Sequence, residues 1–244
     1  MKSKVSIIVP VFNAINHVLS FEENNLKFLL QCHNNAIDFE LIFMDGESSD
    51  GTLDELYKLS KKYSYIRLFS GKDEGIYDAM NKGVKHSNSE FIYFLGMDDV
   101  LLPGFFDMIG KLNANYDIFY GYVILTSSSL SYKRSFNFRD IVKENVCHQS
   151  CFYRKEILLD KPYELKYKLL SDWSSNIFFS KNALSCYFDL PICKYNDQDG
   201  VSSCQVDSDF RSDRVKIIYD SYGASGVIKF FYLMFFYKFR RFFF

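Results

Sequence analysis

The chain has 244 residues, with 29 Lys and Arg against 30 Asp and Glu and a formal net charge of −1, so no broad basic field is available to recruit nucleic acid. Hydrophobic residues make up 48% and aromatic residues 18%, a composition that supports a large core and excludes a disordered chain. Met1-Lys2-Ser3-Lys4 leads straight into an apolar run without a secretory h-region, and no uncharged stretch approaches the roughly 20 residues of a membrane span.

Val5-Ser6-Ile7-Ile8-Val9-Pro10 predicts a short buried parallel strand stopped by proline. Residues 14–33 read as helix and 39–44 as a second strand. Asp45-Gly46-Glu47-Ser48-Ser49-Asp50-Gly51-Thr52 follows that strand. Asp50 and Thr52 stand where an N-cap would be for a helix over 52–63, and Glu55 completes a capping box. Residues 65–69 form a third strand, 76–86 a helix and 90–95 a fourth strand, which runs into Met97-Asp98-Asp99. This alternation predicts an α/β fold with a mainly parallel sheet and helical crossovers.

Beyond Leu101-Leu102-Pro103-Gly104 the pattern loosens. A helix near 105–113, a strand near 116–125, a polar turn over 126–131 and another strand come next. Residues 146–154 read as strand, 164–181 as helix and 183–190 as strand, and the remainder is helical from Asp209. No Gly/Ser/Pro linker interrupts the chain. Residues 1–222 therefore read as one domain, with a nucleotide-binding half over about 1–102 and an acceptor half over about 103–222. Residues 223–244 form an aromatic and basic tail.

The acidic clusters stand at predicted strand ends, where open α/β sheets bind ligands. Carboxylates there can hold a divalent cation, and the cation a diphosphate, which points to a nucleotide-sugar enzyme. Asp45 could accept a hydrogen bond from a base N–H, or cap the next helix. Asp98 and Asp99 repel each other unless a proton or a cation such as Mg²⁺ or Mn²⁺ intervenes; the alternative is a pair of N-caps for the helix after Pro103. The six cysteines form no C-x-x-C pair and read as reduced thiols.

Residues 5–12, 45–52 and 73–83 and the pair Asp98-Asp99 occur in the order and approximate spacing of family 2 glycosyltransferases, which the chain resembles. The most specific piece, Asp73-Glu74-Gly75-Ile76-Tyr77-Asp78-Ala79-Met80-Asn81-Lys82-Gly83, is similar to a signature of a bacterial subgroup of colanic-acid type that builds surface polysaccharides. The resemblance continues more weakly through His148-Gln149, Ser171-Asp172-Trp173 and Asp199-Gly200-Val201-Ser202. It implies the GT-A fold and an inverting transfer from a nucleotide-diphospho-sugar (a UDP- or GDP-sugar). The acceptor it implies is a lipid-linked glycan on the cytoplasmic face of the inner membrane.

The resemblance also implies residue roles. Asp45 would meet the base, with Pro10 and Phe12 lining it. Asp73 would lie near the uridine or phosphates, and Asp78, Asn81, Asp98 and His148 would belong to the donor site. His148 is equally compatible with a satisfied buried histidine. Asp99 and Asp98 would hold Mg²⁺ or Mn²⁺. Gly96 takes the first acidic position of the family's D-x-D-D pattern, so one of the two aspartates would hold the ion together with phosphate oxygens. Asp172 would be the general base, and Trp173 would stack on a sugar or belong to the core. A non-catalytic nucleotide- or glycan-binding protein of the same fold is the alternative, and Gly96 is its support.

In the tail, 227–244, aromatic rings suit a bilayer interface and Lys238, Arg240 and Arg241 suit anionic headgroups. The tail is expected to lie on the membrane surface. Packing on the domain, or on a second subunit of a homo-oligomer, is the other reading.

Overall fold

The computed structural model describes residues 4–34, 37–198 and 206–243, without the side chains of Cys32, Asn34 and 237–243. The segment Asp199-Gly200-Val201-Ser202 lies outside the described residues, as do Cys204 and the side chains of Lys238, Arg240 and Arg241.

The first half alternates as its apolar periodicity dictates. β1 (Val5–Val11) leads to α1 (Ile15–Phe21), a π-helical turn (Glu22–Leu26) and α2 (Lys27–Asn34). β2 (Phe39–Asp45), α3 (Thr52–Lys62), β3 (Ile66–Ser70), α4 (Ile76–His86) and β4 (Phe91–Phe94) follow. These four strands lie in the order β3-β2-β1-β4, all parallel. The second half brings β5 (Val100–Leu101), α5 (Gly104–Lys111), β6 (Ile118–Leu125), β7 (Ser131–Tyr132) and α6 (Phe138–Ile141). A 3₁₀ turn (His148–Ser150), β8 (Cys151–Arg154), α7 (Lys155–Asp160), α8 (Ser171–Asn182), β9 (Ser185–Tyr195) and α9 (Ser208–Phe243) complete it. β8 joins β4 to β6 antiparallel to both, and β9 extends the same sheet parallel to β6.

Side chains alternate across the central strands, so each strand feeds two cores. Val5, Ile7 and Val9 face the layer of α1–α3 and α5. Ile8, Ile42 and Met44 face the layer of α4, α8 and α9. Contact on the second side is close: a Cβ on Gly83 of α4 would come within 2.5 Å of Ile8 Cγ2.

Several elements differ from the sequence expectation. Pro10 does not stop β1, which runs to Val11. The β1–β4 pairing ends at Ile8–Phe94, so the missing N–H of Pro10 has no ladder partner to lose. The helix expected over 14–33 contains the π turn, and its Asn25, fully buried, donates from Nδ2 to Asp99 O at 2.8 Å and accepts from Leu101 N at 2.8 Å. No capping box forms on α3, whose N-cap is Gly51 at φ 96 without a side-chain cap bond. Instead Asp50 accepts from Thr52 N and Ile15 N, joining α3 to α1. His148 lies in the 3₁₀ turn and not on a strand, because Ser150 N returns to Cys147 O at 2.9 Å. The helix expected over 164–181 begins only at Ser171; upstream, the amides of Leu169 and Leu170 are taken by the carboxylate of Asp207.

The tail is the far part of α9. Gly223, at φ 67 and ψ −169, breaks its helical path. Phe210, Ile218 and Phe230 are buried against the domain, while Ile228, Phe231, Tyr232, Phe235 and Phe236 are exposed. The tail thus packs on one side and presents an apolar surface on the other. No helix among the described residues is long and apolar enough to cross a membrane.

Candidate active site

The strand order places β1 between β2 and β4, so the crossovers leaving β1 and β4 diverge and open a crevice beyond their carboxyl ends. Asp45 is the last residue of β2, opposite Val11 and Ser70, and is 2% exposed. Ser70 Oγ donates to its Oδ2 at 2.7 Å, and Ser48 N approaches both oxygens at 3.3 Å. Asn13 then ties the β1 and β2 loops together, through Asn13 N to Ser48 Oγ and Ser49 N to Asn13 Oδ1, each 2.9 Å. Phe12 projects from this edge, 64% exposed, and Pro10, near the end of β1, is half-buried. Asp73 accepts from Gly75 N at 2.9 Å, and its Oδ2 lies where a Cβ on Gly46 would be, 2.6 Å away. The structure therefore gathers Asp45, Asp73, Pro10 and Phe12 at one edge.

Two members of the signature are engaged differently. Asp78 pairs with Lys82 at 2.8 Å and accepts from Glu74 N at 3.1 Å. Burial opposes its charge, but these donors outweigh it and hold its pKa below the ordinary carboxylate value. Asn81 does not present its amide to the crevice. Its Nδ2 donates to Tyr163 O at 2.8 Å and its Oδ1 accepts from Tyr163 N at 3.0 Å, which fastens α4 to the segment before α8.

The adjacent aspartates after β4 have separate environments. Asp99 is 2% exposed. Its Oδ2 accepts from Gly96 N and Gln149 Nε2, each at 3.1 Å, and its Oδ1 from Asn196 N at 2.9 Å. Burial pushes its pKa up to about 6, the charge of Asp98 adds to the rise, and the three donors oppose it. Asp98 is half-buried and accepts only from Asn196 Nδ2, at 2.9 Å, among the described residues. The oxygens of Asp99 face protein donors, whereas Asp98 keeps lone pairs open to the crevice side of the turn. Among the described residues no three His, Cys, Asp or Glu converge on a metal position. A single carboxylate completed by diphosphate oxygens and water is a set that Mg²⁺ or Mn²⁺ accepts, so the residues present fit such an ion.

On the second-half side, Asp172 stands in the first turn of α8 and is 5% exposed. Its Oδ1 accepts from Trp173 N at 2.8 Å and from the Tyr77 hydroxyl at 2.9 Å, a proton shared with Leu169 O at 2.7 Å. Its Oδ2 accepts from Asn145 Nδ2 at 2.8 Å and meets His148 Nδ1 at 3.0 Å. The next residue, Gln149, is the one that reaches Asp99, so a single 3₁₀ turn serves both carboxylates. Trp173 stacks on Phe210 at 4.9 Å and donates to Ile141 O at 2.7 Å, which makes it a packing residue between α8 and α9.

Sequence reasoning assigned no role to Tyr77, Asn145, Asn196 or Asn25. Tyr77 stood inside the quoted signature, and that position was its only signal. The three asparagines act through contacts far apart in the chain, for which the sequence carries no local mark.

Residues 6–188 match the family described as Glycosyl transferase family 2. The PGL/p-HBAD biosynthesis glycosyltransferase of Mycobacterium bovis (strain BCG / Pasteur 1173P2) is 36% identical over 184 residues, which is 71% of this chain and 71% of that one. An uncharacterized glycosyltransferase of Rickettsia bellii is 40% identical over 99 residues, 40% of this chain and 13% of that one. Among solved structures, S. aureus TarS 1-349 in complex with UDP-GlcNAc aligns with a TM-score of 0.74 at 17% identity, over 95% of this chain and 72% of that one. The mannosyltransferase PcManGT from Pyrobaculum calidifontis, in complex with GDP-Man and Mn²⁺, aligns with a TM-score of 0.60 at 10% identity, over 92% and 64%. These likenesses show the GT-A fold.

Proposed function

The chain belongs to glycosyl transferase family 2 and is a glycosyltransferase that uses a nucleotide-sugar donor, and from that premise we propose an inverting transfer from a UDP- or GDP-sugar to a lipid-linked glycan in bacterial surface polysaccharide synthesis. The observation that carries the reading is the open carboxylate of Asp98 beyond β4, with the Asp45 and Asp73 loops beyond the neighbouring strands. Asp45 and Asp73 bind the nucleoside end, with Pro10 and Phe12 against the base. Asp98 holds a divalent cation, as is general among GT-A enzymes of this family. When bound, the ion neutralises charge on the leaving diphosphate. The acceptor hydroxyl gives up its proton to the carboxylate of Asp172 as general base. Solved neighbours bound to UDP-GlcNAc and to GDP-Man with Mn²⁺ favour this donor class.

The apolar face of α9 supports attachment to the cytoplasmic surface of the inner membrane, near such an acceptor. Phe231, Tyr232, Phe235 and Phe236 stand exposed along it, an arrangement suited to the interfacial layer of a bilayer.

A thermal-shift panel of UDP- and GDP-sugars with and without Mn²⁺ tests the donor, because a bound ligand stabilises by mass action. One donor class should raise Tm, more so with Mn²⁺; equal curves across the panel would remove the donor assignment. Flotation with anionic liposomes, of the full chain and of a version ending at Gly226, tests the attachment. The full chain alone should float; equal behaviour of the two would count against it.

A further inference from the structure

Resting on that transfer reading, we infer that Tyr77 is a positioning residue for the reaction, whose hydroxyl holds the carboxylate of Asp172 in place as the acceptor proton arrives. Tyr77 stands in the first turn of α4, two residues after Gly75, whose N–H binds Asp73. The helix is fixed to the rest of the fold by the clasp of Asn81 on the Tyr163 backbone and by the close packing of Gly83 on Ile8. The Tyr77 ring is buried and packs on Tyr163 at 5.2 Å. Asn145, His148 and Trp173 N, which also meet the carboxylate, all belong to the second half of the chain. Among the described residues Tyr77 is the one donor to Asp172 from the first half, so it registers the base against the half that carries Asp45 and Asp73.

The hydroxyl has one hydrogen and two acceptors within reach, Asp172 Oδ1 at 2.9 Å and Leu169 O at 2.7 Å. An ionised carboxylate is the stronger acceptor, so the hydrogen turns to Asp172 while that side chain is charged. Once Asp172 is protonated, the same hydrogen turns to Leu169 O, and no buried donor is left unpaired. Rotation about one C–O bond thus serves both states of the base without moving a ring or a helix. Tyr77 keeps its own proton throughout, because burial and the charge of Asp172 push its pKa well above the ordinary phenol value.

The step itself is the transfer already described. The acceptor oxygen bonds the anomeric carbon, the bond from that carbon to the diphosphate oxygen breaks, and the diphosphate leaves with the electron pair. The hydroxyl proton passes to Asp172, which later releases it to water. Tyr77 neither gains nor loses a proton.

Tyr77→Phe keeps the ring and removes the hydroxyl. A carboxylate that loses a donor to its charged form stays protonated up to a higher pH. The acid limb of the kcat profile should therefore move up by roughly one pH unit, about a tenfold loss of kcat on the wild-type limb, while the thermal shift given by the donor keeps its wild-type value. Tyr163→Phe is the control. Its hydroxyl is buried beside the same ring but makes no hydrogen bond among the described residues, so the limb should stay where it is. The titratable groups around Asp172 are His148, Tyr77, Tyr153, Tyr163 and Cys151. Burial holds the three tyrosines well above their ordinary value and pushes the thiol up to about 12, which leaves histidine as the residue type that titrates near neutrality. The same displacement in a His148→Gln background assigns it to Asp172. A second measurement leaves Tyr77 untouched. In Tyr163→Phe protein labelled with ¹³C at tyrosine Cζ, one signal should move with pH along the limb and stop moving when Asp172→Asn is added. A limb unmoved in Tyr77→Phe, a limb moved equally in Tyr163→Phe, or the lack of such a signal overturns the inference and leaves the transfer reading intact. Wild-type kcat in Asp172→Asn, or a wild-type chain that turns over no nucleotide sugar, overturns the transfer reading, and this inference with it.

Discussion

Where the parallel strands end, Asp45 and Asp50 take their hydrogen bonds from amides and hydroxyls at the loops and element ends beside them, such as Ser48 N, Ser70 Oγ, Thr52 N and Ile15 N. Asp99 and Asp172, which face the mixed half of the sheet, rely largely on side chains from distant segments: Gln149, Asn145, Tyr77 and His148. The first arrangement shapes a loop and leaves room at the edge for a ligand. The second locks separate elements together around buried carboxylates. Asp98 sits at the junction, adjacent to a locked carboxylate yet itself half-open. Between the two adjacent aspartates, function should therefore be lost at the open Asp98, and folding at the locked Asp99.

The largest expected effect is at the junction. Asp98→Ala should lower kcat by about 10³-fold, several kcal/mol of lost charge stabilisation, with little change in Tm. Steady-state assays at saturating Mn²⁺ beside a melting curve check both parts, and an active Asp98→Ala enzyme would break the division. Next comes its neighbour. Asp99→Ala leaves Gly96 N, Asn196 N and Gln149 Nε2 without their acceptor. It should cost about 2–4 kcal/mol and lower Tm by roughly 5–15 °C. An unchanged melting curve would show that Asp99 is not a structural lock.

A smaller loss is expected inside the parallel half. Gly83→Ala puts a methyl against Ile8 and Met44 and should cost about 1–3 kcal/mol by overpacking, read by urea unfolding. No change would mean that α4 shifts freely on β1. The smallest effect lies at the opposite end of the same strands. Burial opposes the charge of Glu40, yet Ser6, Asn88 N and Arg67 hold its pKa below the ordinary value. A depressed folded pKa contributes stability that is present above the unfolded value of 4.5 and is lost as pH falls through the folded one. The Tm gap between wild type and Glu40→Gln should therefore be open near neutral pH, worth about 1 kcal/mol, and close below that window. A gap that widens on acidification would reverse the assignment.

The same contrast governs what could be read from the sequence. In the parallel half, apolar periodicity and local turn chemistry coincide, and the helix expected over 76–86 is α4, Ile76–His86. In the mixed half, local propensity is overridden from afar: Asp207 takes the amides that would have begun α8 early, and the Cys147 carbonyl turns 148–150 away from strand. Asp98 and Asp99 lie in the turn between β4 and β5, and their adjacency does not say which of them is closed. That depends on Gln149 and Asn196, residues remote in the chain.

The π-helical turn Glu22–Leu26 makes the acidic turn sensitive to insertions and deletions. A π turn carries one residue more than α-helical winding requires. Removing a single residue there would rewind the segment and swing Asn25 by about 100°. Its amide would leave Asp99 O and Leu101 N, the two backbone groups that it now clasps. Most substitutions along this helix leave that winding intact. A one-residue change in its length does not, and it would reach the acidic turn without altering a residue there.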